Sequence, residues 1–176
     1  MSEAISSFIM RTAKIEDAES LLEIQKSVVS EGEFLIAVSK EFNRTLLGQI
    51  EYIQDKLENE NETILVAEKD GEVVGWIVFE SIQNRKRISH TGSFGILIEK
   101  SYRGQGIGKM LINALLDWAE KNPMIEKVSL GVFSTNHNAI SLYKKMGFIE
   151  EGRKVREFKF NENEYVDDIL MYKLVK

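Results

Sequence analysis

Hydrophobic positions change their period several times along the chain, and each change predicts a new element. "FIMR" at 8–11 reads as a short first strand. "DAESLLEIQKSVV" then places apolar residues at 21, 24 and 28 on one helical face, with Asp17 as the expected N-cap. "SEGEFLIAVSKEFNRT" mixes acidic residues with "FLIAV" and holds no single period, so an irregular or partly helical connection is expected. "TLLGQIEYIQDKLEN" lines up Leu46, Ile50, Ile53 and Leu57 as a second helix. "TILVAEK" and "EVVGWIVFES" are β-rich and flank Asp70-Gly71, which predicts a hairpin closed by a type I′ turn. "RKRISHTGSFGILIEK" is a further strand region, and its glycines at 92 and 95 suggest a bulge or a close backbone approach. Apolar residues at 107, 110, 111, 114, 115 and 118 predict a third helix from about Gly106, ending before Pro123.

"KVSLGVF" is the next strand. "TNHNAISLYKKMG" reads as a short helix with Thr135 or Asn136 as cap and Gly147 as its stop. Two long strands, "FIEEGRKVREFKF" and "YVDDILMYKLV", meet at "NENE". The order β α α β β β α β α β β predicts an α+β fold with a mixed, mostly antiparallel sheet flanked by helices. There is no repeat, no composition break and one proline, so a single domain over residues 1–176 is expected.

Composition narrows the chemistry by exclusion. The chain has no cysteine, which removes disulfides, a thiolate zinc site and a cysteine nucleophile. A cytoplasmic setting is the simplest fit to that. No apolar run is long enough for a bilayer, and "MSEAISSFIMRTA" lacks the features of a signal peptide, so no membrane partner is expected. The formal net charge of −5 argues against a nucleic-acid partner.

The strongest chemical signal is "SYRGQGIGKMLI" at 101–112, where glycines at 104, 106 and 108 run into a helix. Bare N–H groups at a helix start favour an anion. A Walker A loop is excluded, because Met110 follows Gly108-Lys109 and Arg103 stands five before Gly108. The dinucleotide fingerprint is excluded, because its third glycine falls on Lys109.

The longer string "ILIEKSYRGQGIGKMLINALLDWA" resembles the acetyl-CoA motif of the GNAT superfamily of N-acetyltransferases. That motif, Arg/Gln-x-x-Gly-x-Gly/Ala, is met by Arg103, Gly106 and Gly108. "STNHNAISLYKKMGF" resembles a second family element through Asn136, Ala139, Leu142, Tyr143, Gly147 and Phe148. The resemblance implies the GNAT fold, with a splay between the fourth and fifth strands that receives acetyl-CoA as acetyl donor. It implies that the pantetheine pairs with the fourth strand near Ile96, Leu97 and Ile98. The pyrophosphate is expected on the loop of Arg103, Gly104, Gln105, Gly106, Ile107 and Gly108, with Asn136 and Tyr143 also at the cofactor. No metal is implied.

Tyr143 is the expected general acid for the departing thiolate. The base is less defined. Relatives carry a glutamate at positions occupied here by Gly131 or Gly92, so His90, on the same strand region as Gly92, is the candidate, with Ser93 as a possible anchor for a water relay. Glu31, Glu33, Glu41, Tyr165 and Asp168 are candidates for the acceptor side, and Trp76 and Trp118 are expected in the core. The expected activity is direct transfer of an acetyl group to a primary amine, a small-molecule acceptor being favoured. The alternatives are a protein or peptide acceptor and a non-catalytic acyl-CoA-binding domain. The resemblance is also compatible with a homodimer.

Overall fold

The computed structural model describes residues 7–82 and 85–176. Seven strands form one sheet: β1 (Ile9–Thr12), β2 (Thr63–Lys69), β3 (Glu72–Ser81), β4 (Thr91–Ile98), β5 (Lys127–Phe133), β6 (Ile149–Asn161) and β7 (Glu164–Leu174). Their order is β1-β2-β3-β4-β5-β7-β6. Every pairing is antiparallel except β4 with β5. The helices are α1 (Ala18–Glu31), α2 (Leu46–Glu58), α3 (Ile107–Lys121) and α4 (His137–Lys145). This is the expected α+β order, and residues 32–45 form no helix or strand.

Local chemistry explains the element ends. Asp70 and Gly71 both take positive φ, 52° and 84°, as the two central residues of a type I′ turn must. Thr45 caps α2 by accepting the Gly48 N–H at 3.1 Å. Asp17 does precede α1, but its carboxylate turns back to the Lys14 N–H at 2.8 Å and to the Arg11 guanidinium, so it anchors the preceding turn instead of capping the helix.

The sheet is covered on both faces. On one face, Ile107, Leu111 and Leu115 of α3 pack against Ile77, Phe79 and Leu130. On the other, Leu21 and Ile24 of α1 and Ile53 of α2 pack against Ile64, Val66 and Trp76. Each such side chain, fully buried, contributes about 1.5–3 kcal/mol. The expected α2 stripe is only partly met. Ile53 is fully buried, whereas Leu46 and Leu57 remain exposed and Gln49 takes a fully buried place. The Gln49 Oε1 accepts from Arg44 at 3.1 Å and Lys56 pairs with Glu62 at 3.0 Å, whereas the buried Gln49 Nε2 finds no partner among the described residues. Trp76 is core as expected, and the partly buried Trp118 stacks at a tilt on Phe79. No helix among the described residues is long and apolar enough to cross a membrane.

Candidate active site

The site begins where the one parallel pair among the described residues comes apart. β4 and β5 are in register over Thr91, Gly92 and Ser93 against Lys127, Val128 and Ser129, and no further. From Phe94 onward β4 pairs with β3 alone. The Glu99 N–H donates to Val74, and main-chain direction alternates along an antiparallel strand. The peptide groups of Leu97 therefore turn to β3, and those of Ile96 and Ile98 turn into the gap. A bare strand edge of this kind is a template for an extended polar chain.

The glycine ladder sits at the mouth of the gap. Gly104 and Gly106 have φ of 77° and 83°, and a Cβ at either would touch nothing within 4 Å. The demand at both positions is therefore the left-handed backbone and not space. Gly108 is different. Its added Cβ would lie 3.4 Å from both Ile98 and Leu142, so the start of α3 packs close to β4 and α4 there. The first helical bond runs from Met110 N–H to the Gly106 carbonyl. The N–H groups of Ile107, Gly108 and Lys109 are the ones a helix leaves over at its start.

Arg103 has two partners that sequence alone does not reveal. Its guanidinium binds both carboxylate oxygens of Glu31 at 2.7 and 2.8 Å, and it also donates to the Ile98 carbonyl at 3.0 and 2.9 Å. The guanidinium holds the Glu31 carboxyl below its usual range. Arg103 thus ties the end of α1 to the end of β4 and caps the last open carbonyl of the gap.

α4 forms the far wall. Asn136 is its N-cap, accepting the Ala139 N–H at 3.3 Å. Tyr143, two turns later, is buried, with edge-on contacts to Phe94 at 5.8 Å and Phe148 at 6.1 Å. Burial pushes its hydroxyl up to about 12.

These elements enclose a cavity of about 840 Å³. Ile96, Leu97, Ile98, Arg103, Gly104, Gly106, Ile107 and Gly108 all line it, as do Asn136 and Tyr143. Gln105 is exposed and does not line it. His90 stands apart, in the turn before β4, where its carbonyl accepts from Glu126 and Lys127 at 2.8 and 3.2 Å at the closed end of the β4–β5 pair. Glu31 lines the cavity but is bound to Arg103, Glu33 lies outside the lining, and Glu41 accepts the Val38 N–H. Asp168 reaches the cavity from β7, and Tyr165 does not. Phe158, on β6, completes an aromatic wall with Phe133 at 4.4 Å, a contact no local sequence signal announces.

Glycines 92 and 131 are crowded for different reasons. A Cβ on Gly92 would fall 2.4 Å from the Glu80 carbonyl oxygen and 2.5 Å from the Phe79 ring. A Cβ on Gly131 would fall 2.9 Å from the Asp168 Oδ1. Backbone and core fill the first position, and a carboxylate fills the second.

Comparison with known proteins agrees with this geometry. The family model described as Acetyltransferase (GNAT) family matches residues 30–148. The chain is 34% identical over 107 residues to the L-amino acid N-acetyltransferase of Escherichia coli, a match covering 61% of this chain and 65% of that enzyme. The crystal structure of a GNAT-family acetyltransferase from Streptococcus pneumoniae aligns with a TM-score of 0.90 at 28% identity, over 96% of this chain and 99% of that one. A GNAT-superfamily phosphinothricin acetyltransferase from Sinorhizobium meliloti, crystallised with acetyl-CoA, shares the fold with a TM-score of 0.82 at 20% identity, over 95% and 88%. A family model that spans most of the chain, and a solved neighbour that fits nearly all of it, identify this protein as a member of the GNAT family of acetyltransferases.

Proposed function

We propose that the chain moves the acetyl group of acetyl-CoA directly to the primary amine of a small molecule. The observation that carries this reading is the pairing, in one cavity, of an open strand edge and a helix start with a buried tyrosine hydroxyl. The open N–H and carbonyl of Ile96 suit the amides of the pantetheine arm, the Ile98 carbonyl being taken by Arg103. The N–H groups after Gly106, together with the left-handed backbone at Gly104 and Gly106, suit the pyrophosphate. When bound, acetyl-CoA supplies an activated thioester carbonyl. The Ile98 N–H, on the open edge, is placed to polarise that carbonyl.

Tyr143 protonates the sulfur as the carbon–sulfur bond breaks. A hydroxyl raised by burial gives up its proton readily only if another replaces it in the same step. The N–H proton that the amine must lose serves as the replacement, through water. Asn136 holds the first turn of α4, so that Tyr143 keeps its position two turns on. Similarity to an L-amino acid N-acetyltransferase supports a small amine acceptor.

The test is release of free thiol from acetyl-CoA, followed with L-amino acids, polyamines and short peptides side by side. Release that depends on one of the small amines is the expected result. Release with peptides alone would move the acceptor to proteins. Acetyl-CoA binding without release on any acceptor would overturn the enzymatic reading.

A further inference from the structure

The amine must lose protons, and the positions where relatives carry a glutamate are glycines in this chain. One carboxylate nevertheless reaches the cavity from another strand. Asp168 on β7 pairs with Phe133 of β5, so the two side chains project from the same sheet face. Ile169 and Met171 alternate to the opposite face, into the core beneath α3. Asp168 therefore lies on the α1 side of the gap and Tyr143 on the α4 side, and both line the one cavity. From β7 the carboxylate extends over Gly131, its Oδ1 lying 2.9 Å from where a Cβ at 131 would stand. Its neighbour Asp167 is spent on structure, bound to Arg153 at 2.9 Å and to the Arg156 N–H at 2.7 Å. No salt bridge among the described residues engages Asp168.

We infer that Asp168 is the general base and ammonium anchor of this enzyme, a carboxylate supplied by β7 in place of one on β5. The inference rests on the proposed acetyl transfer to an amine. The aromatic wall of Phe133 and Phe158 beside it favours an arriving cation. The Asp168 carboxylate accepts one proton from R–NH3+, leaving the neutral amine. The amine lone pair forms the C–N bond while the carbonyl π pair moves to oxygen. The carbonyl then re-forms, and the C–S bond breaks with its electron pair on sulfur. Tyr143 gives sulfur its proton and regains one from the nitrogen. The products are the amide, the free thiol and one proton, which Asp168 passes to solvent.

Burial, the largest effect, and Glu157 hold the Asp168 carboxyl above its ordinary value, against Lys154 and the Val132 N–H. The other titratable or charged groups lining the cavity are Tyr102, Tyr143 and Lys109, with Glu31 and Arg103 bound to each other. A carboxylate base loses function as it is protonated on falling pH, giving kcat an acid limb, and the raised pKa moves that limb upward.

The experiment compares Asp168→Asn, Asp168→Ala and Asp168→Ala/Gly131→Glu with the parent enzyme. It uses the best small amine from the thiol-release screen. Acetyl-CoA affinity is read by calorimetry, and amine affinity is read with CoA in place of acetyl-CoA. Asp168→Asn should lower kcat by about 10²- to 10⁴-fold, remove its acid limb and weaken amine binding. Its acetyl-CoA affinity should stay within about twofold, because Asp168 lies on the acceptor face. The double variant returns a carboxylate to the same space from β5 and should exceed Asp168→Ala by about tenfold or more. Asp168→Asn turning over within about threefold of the parent, with its acid limb intact, overturns the inference and leaves the acetyltransferase reading standing. No thiol release by the parent with any amine overturns both. Loss of acetyl-CoA binding in Asp168→Asn marks misfolding. The double variant then decides: acetyl-CoA binding without recovered turnover overturns the inference.

Discussion

Tyr143→Phe should lower kcat by about 100-fold or more, with acetyl-CoA affinity nearly unchanged. The ring keeps its edge-on contacts with Phe94 and Phe148, so the change removes a proton and little packing. Stability supplies an independent readout. The unfolded tyrosine releases its proton near pH 10, and the folded one at about 12. Between those values the unfolded chain binds fewer protons, so stability falls as pH rises. The loss is about 2–3 kcal/mol across the window and is absent below pH 10. Urea denaturation at pH 9 and pH 11.5 should show a larger loss in the parent than in Tyr143→Phe, where Tyr52, raised by burial and by Glu80, still contributes its own fall. A variant with unchanged kcat ends the assignment of Tyr143 as the acid, whatever the denaturation curves show.

The largest stability effect is expected at Gly92. Its Cβ would meet the Glu80 carbonyl oxygen at 2.4 Å and the Phe79 ring at 2.5 and 2.8 Å. Phe79 is fully buried and the carbonyl is backbone, so neither can step aside cheaply. Gly92→Ala should cost about 3 kcal/mol or more, a fall of about 6–12 °C in Tm for a chain of this size. Gly95→Ala is the control. It lies on the same strand with Val78 at 3.9 Å as its nearest contact, and should change stability by less than about 1 kcal/mol. Equal costs at the two positions would mean that the close approach at Gly92 is not what holds glycine there. The crowding also means that β4 cannot carry a carboxylate at this position.

Most of the fold was legible because the periods are clean. The β-rich apolar runs "TILVAEK" and "EVVGWIVFES", the Asp70-Gly71 turn and the apolar spacing of α3 each report a local preference that the packing reinforces. The sequence fell short where a side chain answers to a distant partner. The α2 stripe misleads because burial of Gln49 depends on Arg44 and on how the helix rolls against β2. Arg103 reads as part of a phosphate loop, yet its direct partner, Glu31, is 72 residues away. Glycines 92 and 131 look alike on the page, and only tertiary contacts separate a crowded backbone from a carboxylate's space. "DD" at 167–168 alternates across the sheet, but which aspartate enters the cavity depends on the β5–β7 register. His90 is near Gly92 in sequence and still falls at the closed end of the strand pair, because only the C-terminal half of β4 borders the gap.

Amide hydrogen exchange with and without CoA tests most directly whether the gap between β4 and β5 is the donor site. Binding should slow exchange at Ile96 and Ile98 and across Gly104 to Lys109, where the open edge and the helix start present their N–H groups. Exchange in β1, β2 and the turn at His90 should be unchanged. CoA binding that protects other segments and leaves these amides unprotected would contradict the account.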